Sequence, residues 1–373
     1  MSFRSLTVRL LAPGALLVTA ACVGATDATV ATSATSPSST VTTTTIAVPA
    51  CVAALSVEQK AGQLLMVLVP TPAAAGDLVA AGRVAGYALV GAQTGDVTAE
   101  VAAVAARSKL PVFASGDEEG GTVQRFRDML GALPSAAALA RDNSPEKAAQ
   151  IFGEYGAKLR ALGLNMNFGP SLDVGGGSGL GTRSFGDDVD QVSSYGIAVI
   201  GAVKAAGLIP VAKHWPGIGG GEADPHDSAS PVDELDALKQ RDLIPFDRAI
   251  AAGLDALMVS HAIIPGLTDG MPASLSRAAI TDELRGREKY DGLVITDSLG
   301  MGAIAANYDN AGAAVLSIMA GADIALVSLA ESVPTAQLNV IAAINDGRIP
   351  MAQVDRSVAR VLTAKGITGD CPA

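Results

Sequence analysis

Aromatic residues make up only 3% of this 373-residue chain. That leaves little material for extended stacking platforms along a polymer. Basic residues are outnumbered, 26 to 37, for a formal net charge of -11. A nucleic-acid binder needs a basic footprint, so nucleic acid is excluded as a partner. An acidic surface suits small or neutral partners. No H-E-x-x-H occurs, no H-x-H ends the first strand candidate, and the three histidines are scattered, so no metal is expected. No G-x-G-x-x-G separates the first strand and helix, which argues against a dinucleotide. No cofactor is expected.

The chain does have apolar material, at 49% against 17% charged, enough for a large core. Its first 22 residues read as a signal peptide: Arg4 and Arg9, then "LLAPGALLVTAAC" ending at Cys22. This run is too short for a membrane span and carries a Pro-Gly pair. "VTAAC" resembles a bacterial lipobox, with Thr19 where Leu or Val is usual. Cys22 is therefore the expected lipidation site, and plain cleavage near Ala21 is the alternative. Either way the protein is expected to be exported. It would be lipid-anchored and facing the cell wall, or secreted, with the lipid its only membrane contact. Residues 23–50 are small, polar and Ser/Thr-rich. They cannot bury enough apolar surface to offset their ordering entropy and read as a disordered tether. Residues 51–373 form the expected catalytic domain. Cys51 and Cys371 bracket it, and an isolated pair in an oxidising compartment reads as a disulfide.

Eight apolar runs alternate with helical stretches such as 144–163. The runs are 62–69, 84–91, 110–117, 163–173, 208–216, 256–264, 292–300 and 322–329. Continuous apolar runs suit parallel strands buried on both faces. Eight such units predict an α/β fold, a single (β/α)8 TIM-type barrel, with a doubly wound open sheet as its rival. The unusual polar residues fall at run ends: Asp117, Asp173, Lys213 with His214, His261 and Asp297. In a barrel those ends build the active-site face.

Asp297, in "VITDSLGM", can be a nucleophile, a base, a metal ligand or a helix cap. Asp224 and His226 form "DPH". Pro225 biases Asp224 toward extended backbone, where residues i and i+2 point the same way. A carboxylate beside an imidazole fixes its tautomer and raises its basicity, which suits general acid/base work. Glycines at 217 and 219–221 give the loop freedom to move.

These residues match a family in order along about residues 54–365. The matching stretches are "GDEEGGTVQRF" (116–126), "NMNFGPSLDV" (165–174), "GTRSFGDD" (181–188), "KHWPGIGGGEADPH" (213–226), "MVSHAIIP" (258–265), "PASLS" (272–276) and "DGLVITDSLGMGAI" (291–304). The chain resembles the single-domain β-N-acetylglucosaminidases of glycoside hydrolase family three, the NagZ type. The resemblance implies an exo-acting retaining enzyme that removes terminal N-acetylglucosamine from muropeptides. Asp297 would be the nucleophile and His226 the acid/base, tuned by Asp224. Asp117, Arg125, Arg183, Lys213 and His214 would surround the sugar, with His261, Trp215 and Met301 as further pocket candidates. Ile218, Pro225 and Trp215 depart from the family pattern, which has His, Ser and Phe there. Competing readings are a glycoside phosphorylase and a degenerate muropeptide-binding lipoprotein. A small carbohydrate is the expected partner, and a monomer the expected state.

Overall fold

The computed structural model describes residues 48–372, apart from 178, 222–226, 229 and 230. Eight parallel strands run in chain order: β1 Leu65–Val69, β2 Gly86–Leu89, β3 Phe113–Gly116, β4 Met166–Ser171, β5 Ile209–Trp215, β6 Ala256–Val259, β7 Leu293–Thr296 and β8 Ala325–Val327. Each strand from β1 to β6 pairs with the next, and β1 pairs with β8, for example Met66 with Leu326. The remaining seam is joined by a bridge between Ile295 and Ile324. The result is a nearly closed barrel with helices between its strands, as the sequence predicts, and not an open sheet.

Strand alternation splits the core into two layers. Met66, Phe113, Met166, Phe168, Val211, Met258, Ile295 and Leu326 pack inside the barrel. Leu65, Val67, Val69, Leu257, Val259 and Val294 point outward against the helices. Both faces are therefore apolar, which is why the runs are continuous rather than alternating.

Every expected run contains one strand, but the strands are shorter. The largest overreach past the strand ends is at 256–264 and 292–300, where pairing stops at Val259 and Thr296. The apolar character continues there because Ala262, Ile264 and Leu299, past the strand ends, are buried in the outer layer of the core.

The expected helix at 144–163 spans Pro145–Ala161. Ser144 caps it by accepting from the Lys147 amide, and Pro145 sits in the first turn, where its missing N–H costs nothing. Lys158 and Arg160 in the last turn complement the dipole. Its buried face carries Ala148, Phe152, Tyr155 and Leu159. Tyr155 goes on to serve the active-site loop described below.

Cys51 and Cys371 are bonded, as expected, across a separation of 320 residues. The bridge ties the helix Ala50–Ala54 to the tail beyond the helix Met351–Ala364, beside a Cys51 amide to Gly369 carbonyl bond of 2.9 Å.

Candidate active site

The C-terminal ends of the strands surround a cavity of about 210 Å³. Its wall carries apolar side chains, Leu68, Leu89, Phe168, Met258, Met301 and Leu326, and four charged ones, Asp117, Arg125, Lys213 and Asp297. An apolar wall with a few convergent polar groups is the usual form of a small-ligand site.

Lys213 is the hub. It lies 3% exposed on β5 and pairs with Asp117, and its Nζ is 2.6 Å from Glu119 Oε1. Burial alone would pull its pKa down, but Asp117 and Glu119 more than offset that and hold it above the ordinary lysine value. Arg125 donates to the other Asp117 oxygen at 3.0 Å. The Arg125 Nε is buried with no hydrogen-bond partner among the described residues, so one donor at the cavity is unspent.

Glu119 also accepts a two-pronged bond from Arg183, with Nε and Nη2 each at 2.7 Å. Burial would raise its carboxyl, yet Lys213 and Arg183 hold it far below the usual range. Arg183 Nη2 reaches His214 Nε2 at 3.1 Å. A guanidinium has no acceptor, so His214 Nε2 accepts, and its proton sits on Nδ1, which donates to Asp173 Oδ2 at 2.7 Å. Asp173 is fully buried and also accepts from Ser171 Oγ and the Ile218 amide, both at 2.8 Å. One continuous chain therefore runs Arg125–Asp117–Lys213–Glu119–Arg183–His214–Asp173.

Asp297 follows β7 directly and is half-buried at the cavity. Burial would raise its carboxyl, but His214, His261, the Ser298 amide and Lys213 outweigh it, and the group is held below the ordinary aspartate value. One of its oxygens accepts from the Ser298 amide at 2.7 Å. The loop that carries Asp297 is braced behind it. His261 Nε2 lies 2.9 Å from the Ser298 carbonyl, so it is a donor there, and Nδ1 meets Ser274 Oγ at 2.7 Å. Ser298 Oγ in turn meets Ser328 Oγ at 2.6 Å, beyond β8.

The loop after β3 is pinned by Glu118. Its carboxylate takes the amides of Arg125 and Phe126 and, at 2.7 Å, the Tyr155 hydroxyl. Burial nonetheless pushes Glu118 up to about 7. Gly120 in this loop has φ +88°, and a Cβ there would lie 2.1 Å from the Pro134 carbonyl oxygen, so no other residue fits.

Among the sequence-derived candidates, Asp117, Arg125, Lys213, Met301 and Asp297 line the cavity. Arg183 and His214 stand behind Lys213 in the ion-pair chain, and His261 braces the loop after β7. Trp215 does not belong to the pocket: it is fully buried in the outer layer, with its indole N–H donating to Glu288 at 3.1 Å. The cause is a shift of register between β5 and β6 from Ala212 to Trp215. Val211 faces inward and Ala212 outward, so unbroken alternation would put position 215 inside. Asp224, His226 and Cys22 lie outside the described residues. Three site residues were missed in the sequence. Glu119 stands inside the quoted "GDEEGG" stretch, Asp173 was noted only as a strand end, and Glu118 carried no signal beyond its neighbours.

The profile of the glycosyl hydrolase family 3 N-terminal domain matches residues 56–364. The β-hexosaminidase LpqI of Mycobacterium tuberculosis is 37% identical over 98% of this chain and 98% of its own length. A crystal structure of a family 3 glycosyl hydrolase from Mycobacterium smegmatis superposes with a TM-score of 0.81 at 36% identity, over 84% of this chain and 98% of that one. A family 3 β-N-acetylglucosaminidase from Paenibacillus gives 0.79 at 33% identity, over 84% of this chain and 63% of that one.

Proposed function

This chain belongs to glycosyl hydrolase family 3, and we propose that it is an exported, exo-acting, retaining β-N-acetylglucosaminidase of peptidoglycan fragments. It is a glycoside hydrolase of the β-hexosaminidase type. The substrate, mechanism and location are the proposed part. The observation that carries the mechanism is Asp297: an ionised carboxylate at a strand end, facing a cavity with an apolar wall and a fixed cation cluster.

In this reading Asp117, Arg125 and Lys213 take the hydroxyls and acetamido oxygen of the terminal sugar. Arg183 and His214 hold Lys213 and the sugar's edge in register. The Asp297 carboxylate attacks the anomeric carbon while His226, as imidazolium, protonates the departing glycosidic oxygen. A covalent glycosyl-aspartate results. Neutral His226 then takes a proton from water, which displaces Asp297 and releases the sugar. Asp224 orients His226 and raises its basicity. Most retaining enzymes use a second carboxylate for this step. A neutral imidazole does not repel an anionic aglycone, which suits muropeptides.

The N-terminal 22 residues serve as the export signal in this account, with lipidation of Cys22, and residues 23–50 as the tether. No helix among the described residues is long and apolar enough to cross a membrane. The test is turnover of purified protein on GlcNAc–MurNAc disaccharide with and without phosphate. Free N-acetylglucosamine with retained configuration supports hydrolysis. A sugar phosphate formed only with added phosphate assigns a phosphorylase, and binding without turnover assigns a degenerate receptor.

A further inference from the structure

A second cavity, of about 190 Å³, lies far from the mouth, in the outer wall of the barrel. It is a groove between the helix Ala278–Arg287 and the C-terminal helix Met351–Ala364. Four arginines line it, Arg277, Arg285, Arg356 and Arg360, and no carboxylate or large apolar side chain does. In a chain of net charge -11, four arginines lining one groove form a local cationic patch that favours an anion.

Two of the four are already paired. Arg285 and Arg360 share Asp323, at 2.5 and 3.1 Å, and Arg360 also holds Asp291. These bonds place the base of the groove beside the starts of β7 and β8, opposite the barrel end that bears Asp297. The other two are open. Arg356 makes no hydrogen bond or ion pair among the described residues, and Arg277 has only a loose, exposed contact of 3.8 Å with Asp282. Ser357 adds a third donor: it lines the groove, and its hydroxyl makes no hydrogen bond to another described residue, which leaves it available to a ligand oxygen. The carbonyls at the end of the helix Asn310–Ala320 would repel an anion here. They are instead occupied, Ala320 by Thr281 Oγ1 at 2.7 Å and Ile318 by Gln353 Nε2 at 2.5 Å.

We propose that this groove binds a phosphoryl group. Arg356 and Arg277 would grip its oxygens from two helices, and Ser357 would donate from the floor. A tetrahedral oxyanion offers acceptors toward all three donors at once, and guanidinium forks match it in geometry. The phosphate can be free or carried on a lipid headgroup.

The test is calorimetric titration of the folded protein with inorganic phosphate, on wild type and on Arg356→Ala and Ser357→Ala. Arg356 is exposed and unpaired, so its removal should leave folding and glycosidase activity unchanged. Saturable binding is expected, weakened at least about tenfold by Arg356→Ala, the scale of one lost charge-assisted bond. Co-sedimentation with phosphatidylglycerol vesicles, against phosphatidylcholine vesicles, separates the sources. Arg356-dependent retention on the anionic vesicles assigns a headgroup, and phosphate binding without retention assigns a soluble phosphate. Equal behaviour of wild type and both variants in both assays overturns the proposal.

Discussion

Glu119→Gln is the substitution that tests the ion-pair chain most severely. The change keeps the shape and removes one charge. Both Glu119 oxygens face donors only: Oε1 meets Lys213 Nζ and Arg183 Nη2, and Oε2 meets Arg183 Nε. A glutamine must therefore turn its NH2 toward a donor whichever way it flips. Lys213 keeps Asp117, but Arg183 loses the only carboxylate it is ion-paired with among the described residues, leaving a cation 13% exposed without its direct partner. Breaking one side of a buried pair costs about 3–5 kcal/mol. At about 2 °C per kcal/mol for a chain of this size, Tm should fall by about 6–10 °C. Because Lys213 is freed to move, kcat/KM should fall by about 10–100-fold, the scale of an ångström of misplacement. Thermal unfolding and kinetics on an aryl N-acetylglucosaminide measure both. The cycle with Lys213→Met should show a coupling of about 1.5 kcal/mol or more. A Tm within about 2 °C of wild type and additive singles would refute the assignment of Glu119 as the chain's anchor.

Four further outcomes follow from the same reasoning. Glu118, raised to about 7, favours the protonated folded state. Its contribution is fully present below the unfolded carboxyl value and is lost as pH rises through about 7. Glu118→Gln should therefore flatten that part of the stability–pH curve, and denaturant midpoints at pH 4.5, 6 and 8 that fall alike in both proteins would reject it. Reducing the Cys51–Cys371 bond should cost roughly 2–5 kcal/mol, and mass spectrometry finding both thiols free in exported protein would refute the pairing. His214→Ala should raise KM by disturbing Arg183 and Lys213. His226→Ala should chiefly lower kcat for unactivated leaving groups, with azide rescue on activated ones. Equal losses on both substrate types and no rescue would reassign the acid/base.

The barrel was legible because burial on both strand faces writes largely apolar runs, and the charged residues that interrupt them gather mostly at the mouth. Asp117, Lys213, His214 and Asp297 stood out for that reason. Trp215 was misplaced because period-2 alternation says nothing of a register shift inside β5. Glu119 and Asp173 were undervalued because their importance lies in partners 64 and 41 residues away, Arg183 and His214. No local pattern encodes such pairs. The arginine groove was invisible for the same reason, since its two faces lie about seventy residues apart and each alone reads as a solvated helix surface.

The central claim is that Asp297 forms a bond to the sugar. Incubation with an activated 5-fluoro N-acetylglucosaminide, which slows the second step, should accumulate a glycosyl-enzyme visible by intact mass. Peptide mapping should place the added sugar on Asp297, and Asp297→Asn should show no adduct while unfolding at nearly the wild-type temperature. An adduct on another carboxylate, or Asp297→Asn retaining more than about a tenth of wild-type hydrolysis, would contradict the account.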